Sequence, residues 1–406
     1  MSKIFEVEIG RPGSIGAMTA TSLSLPATPF VLADAREKAR ITDERIIYST
    51  ELLDSNCSYL PKFIPDSANL YELNHLAERL AALTEWELDC FEGLVEMDTS
   101  KGAACIPVER LINFTHSLEN CQIAYEAHND ESLGRFYVEN GMSDVPDSLP
   151  EILYEVLDYE TIGRKARTGE GGVFTEKGYV VLNGEISQAY HEGGAVPQEK
   201  PGHTIELEVC KGFFDDPDYD NNLSEHLLLP ADDGILDRAI AQVEAASGEE
   251  CSLQAVDCMV PALTELISDT LYESNGDCYG AVNELARKLK KLSEGGKLIT
   301  YKAMLEAAPA ALTLEEAIDL AGQAVDFAVR QDIPSPEDYA KQALAKSGIP
   351  LPDELIAHAN LYRYGQKLME HDGVTQSSYG ALIPLDGRSV EQCLDRPVSG
   401  LSMEMK

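Results

Sequence analysis

The sequence predicts an α+β fold made of two tandem, structurally similar helix-rich units, each opening with a β-hairpin, in an elongated acidic architecture. Three observations predict it. Segments recur in the same order about 200 residues apart, short alternating strands flank a helical middle, and carboxylates dominate the charge.

The elements follow in chain order. Glu6-Val7-Glu8-Ile9 alternates charged and apolar residues, the period of a half-buried strand, and returns as Glu206-Leu207-Glu208-Val209. Arg11-Pro12-Gly13 is turn chemistry, and a second alternating strand is expected from Met18 to Leu25. Leu25-Pro26-Ala27 with Val31, Leu32 and Ala35 reappears as Leu229-Pro230-Ala231 with Ile235, Leu236 and Ala239, predicting helices near 29–40 and 233–246. Leu73, Leu76, Leu80 and Leu83 fall at helical spacing in a run that returns from Val282 to Leu292. An ungapped match then aligns Leu153, Gly163, Lys165, Gly171 and Gly178 with Leu355, Gly365, Lys367, Gly373 and Gly380. After Pro150 one helix should reach about Arg167, Gly169 to Gly172 should end it, and Tyr179 to Leu182 should be a strand. The expected divisions are 1–183 for the first unit, 184–203 for a Gly- and Pro-containing linker, 204–384 for the second unit, and 385–406 for a C-terminal tail.

Seventy Asp and Glu stand against 32 Lys and Arg, a net charge of −38. Such an excess repels phosphate, so nucleic acid and anionic membranes are excluded as partners and a basic protein surface is the natural complement. With 44% hydrophobic residues, the chain has enough apolar content to bury a core. No uninterrupted apolar run is long enough to span a bilayer, and the alternating N-terminal segment does not read as a secretory signal. Nine Cys without CxxC spacing suit a reducing cytoplasm.

The charge is patterned. Thr84 with Glu87 makes a capping box, so a helix should start at Glu85, and Glu85, Asp89, Glu92 and Glu96 then share one face opposite Phe91 and Leu94. No Lys or Arg lies between Arg79 and Lys101 to interleave with that stripe. A second acidic stretch, Glu119 to Glu160, contains Glu151, Glu155, Asp158 and Glu160 with Arg135 as its only basic residue. A third, 212 to 286, includes Asp215, Asp216, Asp218 and Asp220, with Arg238 alone opposing it. These twelve carboxylates are the candidate binding residues, and the opposing reading of each group is an ordinary solvated face. In contrast, residues 287 to 302 hold six Lys and Arg.

Catalytic and cofactor signatures are missing: there is no HExxH, GxSxG, GxxxxGK[ST] or strand-following GxGxxG pattern. Asp216-x-Asp218-x-Asp220 starts like a calcium loop but lacks Gly at the sixth position and Glu at the twelfth. No enzyme, metal or cofactor is expected.

The order strand, turn, strand ending in Leu-Pro, helix, Glu72-Leu73-Asn74-His75-Leu76, Arg135-Phe136-Tyr137-Val138-Glu139, Val145-Pro146, and Asp158-Tyr159-Glu160-x-x-Gly163-Arg164 followed by Gly178-Tyr179-Val180 resembles the ArdA antirestriction family over nearly the whole first unit. The second unit matches less closely, with Asn360, Leu361, Tyr364 and Gly365 in the corresponding places. The resemblance implies an acidic protein of mobile elements or phages, acting in the cytoplasm of a bacterial host. It implies that the protein mimics bent DNA and occupies the DNA groove of type I restriction and modification enzymes. At two phosphate charges per base pair, 70 carboxylates set a ceiling of about 35 base pairs of mimicry. A CRISPR effector is a second target class. The family forms homodimers of single units, so a tandem chain is expected either to pair its units internally as a pseudo-dimer or to form a homodimer. The competing reading is an acidic scaffold or adaptor that binds one protein partner without mimicking DNA.

Overall fold

The structure, a computed structural model, describes residues 2–13, 19–43, 45–102, 104–146, 150–191, 201–212, 223–348 and 359–394. Helices account for 47% and strands for 17%, in small antiparallel sheets, which makes the class α+β.

The first half opens with β1 (Phe5–Gly10), β2 (Thr21–Leu25), α1 (Pro29–Lys38) and β3 (Ser49–Ser55). It continues through α2 (Leu70–Ala81), α3 (Glu85–Thr99), α4 (Val108–Thr115), β4 (Cys121–Ala124) and α5 (Asp130–Glu139). It closes with α6 (Glu151–Tyr154), α7 (Tyr159–Glu170), β5 (Val173–Phe174) and β6 (Tyr179–Leu182). Its sheets have the orders β2-β1-β3 and β4-β6-β5. Leu73, Leu76 and Leu80 are buried as their spacing predicts, while Leu83 falls beyond the end of α2.

The second half runs β7 (Ile205–Lys211), β8 (Ser224–Leu229), α8 (Ile235–Gln242), β9 (Cys251–Cys258), α9 (Thr264–Glu273), α10 (Tyr279–Glu294), α11 (Leu298–Ala307) and α12 (Leu314–Gln323). Then come β10 (Phe327–Arg330), α13 (Pro336–Ser347), α14 (Leu361–Asp372), β11 (Thr375–Ser377), β12 (Gly380–Pro384) and α15 (Val390–Cys393). Its sheets have the orders β8-β7-β9 and β10-β12-β11. Ile205, Leu207 and Val209 of β7 turn into one core with Leu285 and Leu289 of α10 and Tyr301 and Met304 of α11.

Several contacts recur at matching places. Ile4 N–H donates to Leu25 O at 2.8 Å, and Thr204 N–H to Leu229 O at 2.8 Å. Asn56 N–H donates to Ile4 O, and Met259 N–H to Thr204 O. The Leu25–Pro26 and Leu229–Pro230 bonds are both cis. Asn74 receives Ala27 N–H at 2.7 Å and donates to Ala27 O at 3.1 Å, while Asn283 does the same to Ala231 at 2.9 Å each way. Both Asn side chains are buried. Asn74→Ala or Asn283→Ala orphans a backbone N–H and a C=O, so each is expected to cost about 2–3 kcal/mol in denaturant titration.

The compact units are not contiguous in sequence. One gathers Met1–Glu8, Ser22–Ala27 and Tyr48–Gln198; the other gathers Ile9–Thr21, Thr28–Ile47 and Glu199–Lys406. Three expected boundaries change accordingly. Helix α1, encoded in the first half, belongs to the second unit, where Asp257 at the end of β9 caps it. Thr28 Oγ1 donates to Asp257 Oδ1 at 2.6 Å, and Phe30 N–H to Oδ2 at 3.1 Å. The stretch expected to be a linker packs in part on the first unit, since buried Tyr190 donates its N–H to Asn113 Oδ1 and accepts Asn113 Nδ2 at its carbonyl. The expected tail begins with α15, whose Val390 and Cys393 join the second core together with Leu394.

Two expected elements also differ. The second strand starts at Thr21, with 14–18 outside the described residues. In place of one helix after Pro150 there are two, because Asp158 caps α7 through Thr161 N–H and so starts a new helix. Gly171, at φ 71°, ends α7 in the left-handed conformation that favours glycine.

Candidate interaction surface

The helix carrying the predicted stripe forms as its cap dictates. Thr84 Oγ1 accepts Glu87 N–H, and Glu87 Oε2 accepts Thr84 N–H at 2.8 Å. The surroundings of α3 are less open than an isolated amphipathic helix would have. It packs on α4 and on β4, β5 and β6, burying Cys90, Phe91, Gly93, Leu94, Val95 and Met97.

The predicted stripe is therefore corrected as a solvent-facing line. Glu85 is exposed, but Asp89 is buried and accepts the Tyr125 hydroxyl at Oδ2, 3.2 Å away, while Glu92 and Glu96 are half-buried. Tertiary neighbours from distant segments cover what the helical wheel leaves open. Burial pushes the Glu92 carboxyl up from its ordinary range, and the nearby charges of Glu176, Asp89 and Glu96 push the same way, against Lys177. Burial likewise drives the phenol of Tyr59 well up, helped by Cys57, Glu92 and Asp89.

The sign for stability follows from that direction. A carboxyl raised in the folded state binds its proton more tightly there, so its contribution is fully present below the unfolded value and lost as pH rises through the folded value. Glu92→Gln is expected to raise the melting temperature by about 1–3 °C at pH 7 and by nothing near pH 4. Thermal melts at both pH values check this.

Glu151, Glu155, Asp158 and Glu160 occupy open positions. Glu151 lies on α6 and Glu155 just after it, both exposed. Asp158 is spent on capping α7, which holds its carboxyl below the usual range, and Glu160 pairs with Arg164 one turn on. Asp215, Asp216, Asp218 and Asp220, including the calcium-loop-like triplet, lie outside the described residues. Among the described residues, no group of three or more His, Cys, Asp or Glu is placed to hold a metal ion. No helix among them is long and apolar enough to cross a membrane.

Two concavities were invisible to spacing rules. One of about 570 Å³ lies between β9 and α9, lined by Cys251, Ser268, Asp269 and Tyr272. Burial raises the Cys251 thiol, the wrong direction for a nucleophile at neutral pH. The other, about 310 Å³, runs along β4 between Trp86, Phe136 and Met142. β4 is an edge strand of its sheet, and Tyr179 and Val181 of the neighbouring β6 also line the groove.

An ionic site that the sequence did not suggest lies in the second unit. Lys302 on α11 is only 3% exposed and bridges Asp34 Oδ1 and Glu37 Oε2 of α1, each at 2.7 Å. Tyr379 Oη donates to the same Asp34 oxygen at 2.7 Å, and Lys38 pairs with Oδ2 at 3.0 Å. The Arg40 guanidinium donates to the carbonyls of Lys38, Gln331 and Ser378. The basic cluster at 287–302 thus supplies the buried cation that pairs with Asp34 and Glu37 of α1.

No protein-family model matches the chain, and no curated protein matches it.

Proposed function

We propose that this chain is an acidic inhibitor built from two tandem ArdA-like units, which binds the basic DNA-binding surface of a bacterial defence complex in place of DNA. Type I restriction–modification enzymes are the first target class and CRISPR effectors the second. One observation carries the reading: 70 carboxylates stand against 32 Lys and Arg, and Glu85, Glu151, Glu155, Asp158 and Glu160 are all exposed on the first unit. A charge excess of that size attracts a phosphate-binding surface and repels phosphate. The tandem reading is supported by the recurring strand orders, the matched Asn74 and Asn283 bridges, and the left-handed Arg40 and Glu244 that follow α1 and α8. Binding needs no chemistry from the chain, and we assign it no catalytic residue or cofactor.

A second reading, an adaptor that docks through apolar contacts, is favoured by Ile152, Leu153 and Val156, which are 71%, 41% and 73% exposed on and just after α6. Salt separates the two. If the chain replaces DNA, its affinity for the DNA-free methyltransferase core of a type I enzyme falls at least tenfold between about 50 and 200 mM salt. An affinity that holds across that range supports the adaptor instead.

A further inference from the structure

The docking of α1 shows what kind of helix a unit of this fold accepts, and the first unit has the same seat with the opposite charge. In the second unit the seat is made by the end of β9, by α11, and by the turn between β11 and β12. It holds α1 through Asp257, Lys302 and Tyr379. The matched backbone bonds of Asn56 and Met259 to their first strands place Asp54 where Asp257 stands, and Leu53 where Val256 stands. Helices α3 and α11 pack on the same set of elements in their units: α4, β4, β5 and β6 for one, α12, β10, β11 and β12 for the other. Aligning their runs of buried residues matches Phe91 with Tyr301 and Leu94 with Met304, which sets Glu92 at the place of Lys302. The aligned glycines Gly178 and Gly380 set Glu176 on Ser378 and Lys177 on Tyr379.

The two seats differ in occupancy. Asp257 is 3% exposed beneath α1, whereas the Asp54 side chain is 69% exposed and Leu53 is 50% exposed. They differ in charge as well. Asp89, Glu92 and Glu176 occupy the places of Ile299, Lys302 and Ser378, so a single lysine is replaced by three carboxylates, with Lys177 added at the rim. In the second unit, a buried cation meets two carboxylates of the docked helix, Asp34 and Glu37. In the first, Glu92 is held among like charges with its carboxyl raised, the condition that a partner's cation would relieve.

We infer that the face of the first unit formed by Leu53, Asp54, Glu92 and Glu176 is a seat for an amphipathic helix of a partner protein. That helix carries Lys or Arg where α1 carries Asp34 and Glu37. The choice of a basic occupant rests on the reading of the chain as a binder of basic surfaces; the seat itself rests on its counterpart in the second unit. A helix of the same chain is a poorer occupant. α8 places Arg238 where α1 has Asp34, but Asp232 and Asp233 stand where α1 has Thr28 and Pro29, and there they would meet Asp54.

The test uses the full chain and a stapled helical peptide of residues 28–40 bearing Asp34→Lys and Glu37→Lys, followed by fluorescence anisotropy at low salt. The charge-reversed peptide should bind at least tenfold more tightly than the unreversed one, and Glu92→Lys should invert that preference. Glu92→Gln, which keeps the shape of the side chain, should weaken the reversed peptide several-fold without lowering the melting temperature. Equal binding of the two peptides, or binding indifferent to both Glu92 variants, overturns the inference. So does a chain that sediments as a dimer and becomes monomeric on Arg238→Glu, because the seat would then belong to a second copy. Failure here leaves DNA competition by the whole chain untouched, and failure of DNA competition leaves peptide binding standing, so the two readings fall separately.

Discussion

Lys302→Ala is expected to destabilise the second unit by about 3–5 kcal/mol. The reason is what it leaves behind. Buried Asp34 and half-buried Glu37 would be left with no cation between them, and the Tyr379 hydroxyl and the partly exposed Lys38 replace only part of the lost interaction. Restoring neutrality should recover much of the loss, so Lys302→Met combined with Asp34→Asn and Glu37→Gln is expected to lie nearer the wild type than Lys302→Ala does. Burial alone would raise the Asp34 carboxyl, but Lys302 and Lys38 outweigh it and hold it below the ordinary range. Burial would lower the Lys302 amine, and Glu37 and Asp34 outweigh that too, leaving it raised. The depressed carboxylate contributes above its unfolded value near 4 and loses that contribution as pH falls through the folded one; the raised amine contributes below its unfolded value and loses it as pH rises through the folded one. The gap between wild type and Lys302→Ala in urea titration should therefore be full at pH 7 and shrink below about pH 4.

Gly163→Ala and Gly365→Ala should each cost about 3 kcal/mol, because both sit where two helix backbones touch. A Cβ on Gly163 of α7 would lie 1.9 Å from Asp130 O of α5, and one on Gly365 of α14 would lie 1.7 Å from Pro336 O of α13. No side-chain rotation relieves a clash with a carbonyl, so the helices must part. In the first unit that parting also strains the two-pronged bond of Arg167 to Asp130, at 2.7 and 3.0 Å. Gly169 on the same helix α7 is the control. Its Cβ would meet nothing within 4 Å, so Gly169→Ala should be neutral or stabilising by up to about 1 kcal/mol through helix propensity. Denaturant titration of the three variants checks the ranking.

Those two glycines also show how much of the fold the sequence carried. Gly163 and Gly365 align without gaps because helix contact at a backbone tolerates no Cβ, and a steric rule of that kind survives where side chains diverge. The Thr84 cap and the Leu73, Leu76 and Leu80 period were legible for a similar reason, since capping and amphipathicity act within a few residues. The seat of α1 was not legible. Its partners, Asp257, Lys302 and Tyr379, lie more than 200 residues along the chain, and nothing in the local pattern of residues 28–40 names them. The stripe on α3 failed for the converse reason. A helical wheel assigns Asp89 to the polar face, but Tyr125, from beyond β4, reaches over to bond it. Asp158, a candidate binding carboxylate by charge, is also the N-cap of α7, a role that Thr161 three residues on does not by itself announce.

The measurement that bears most directly on the proposed role is displacement of DNA from a type I restriction–modification enzyme. A fluorescent duplex bound to the methyltransferase core would be titrated with the full chain, and the chain alone would be mixed with the same duplex. The account predicts that the duplex is released as the chain is added, that release weakens as salt rises, and that the chain alone leaves the duplex free. A chain that binds the core while the duplex stays in place, or that binds the duplex itself, would contradict it.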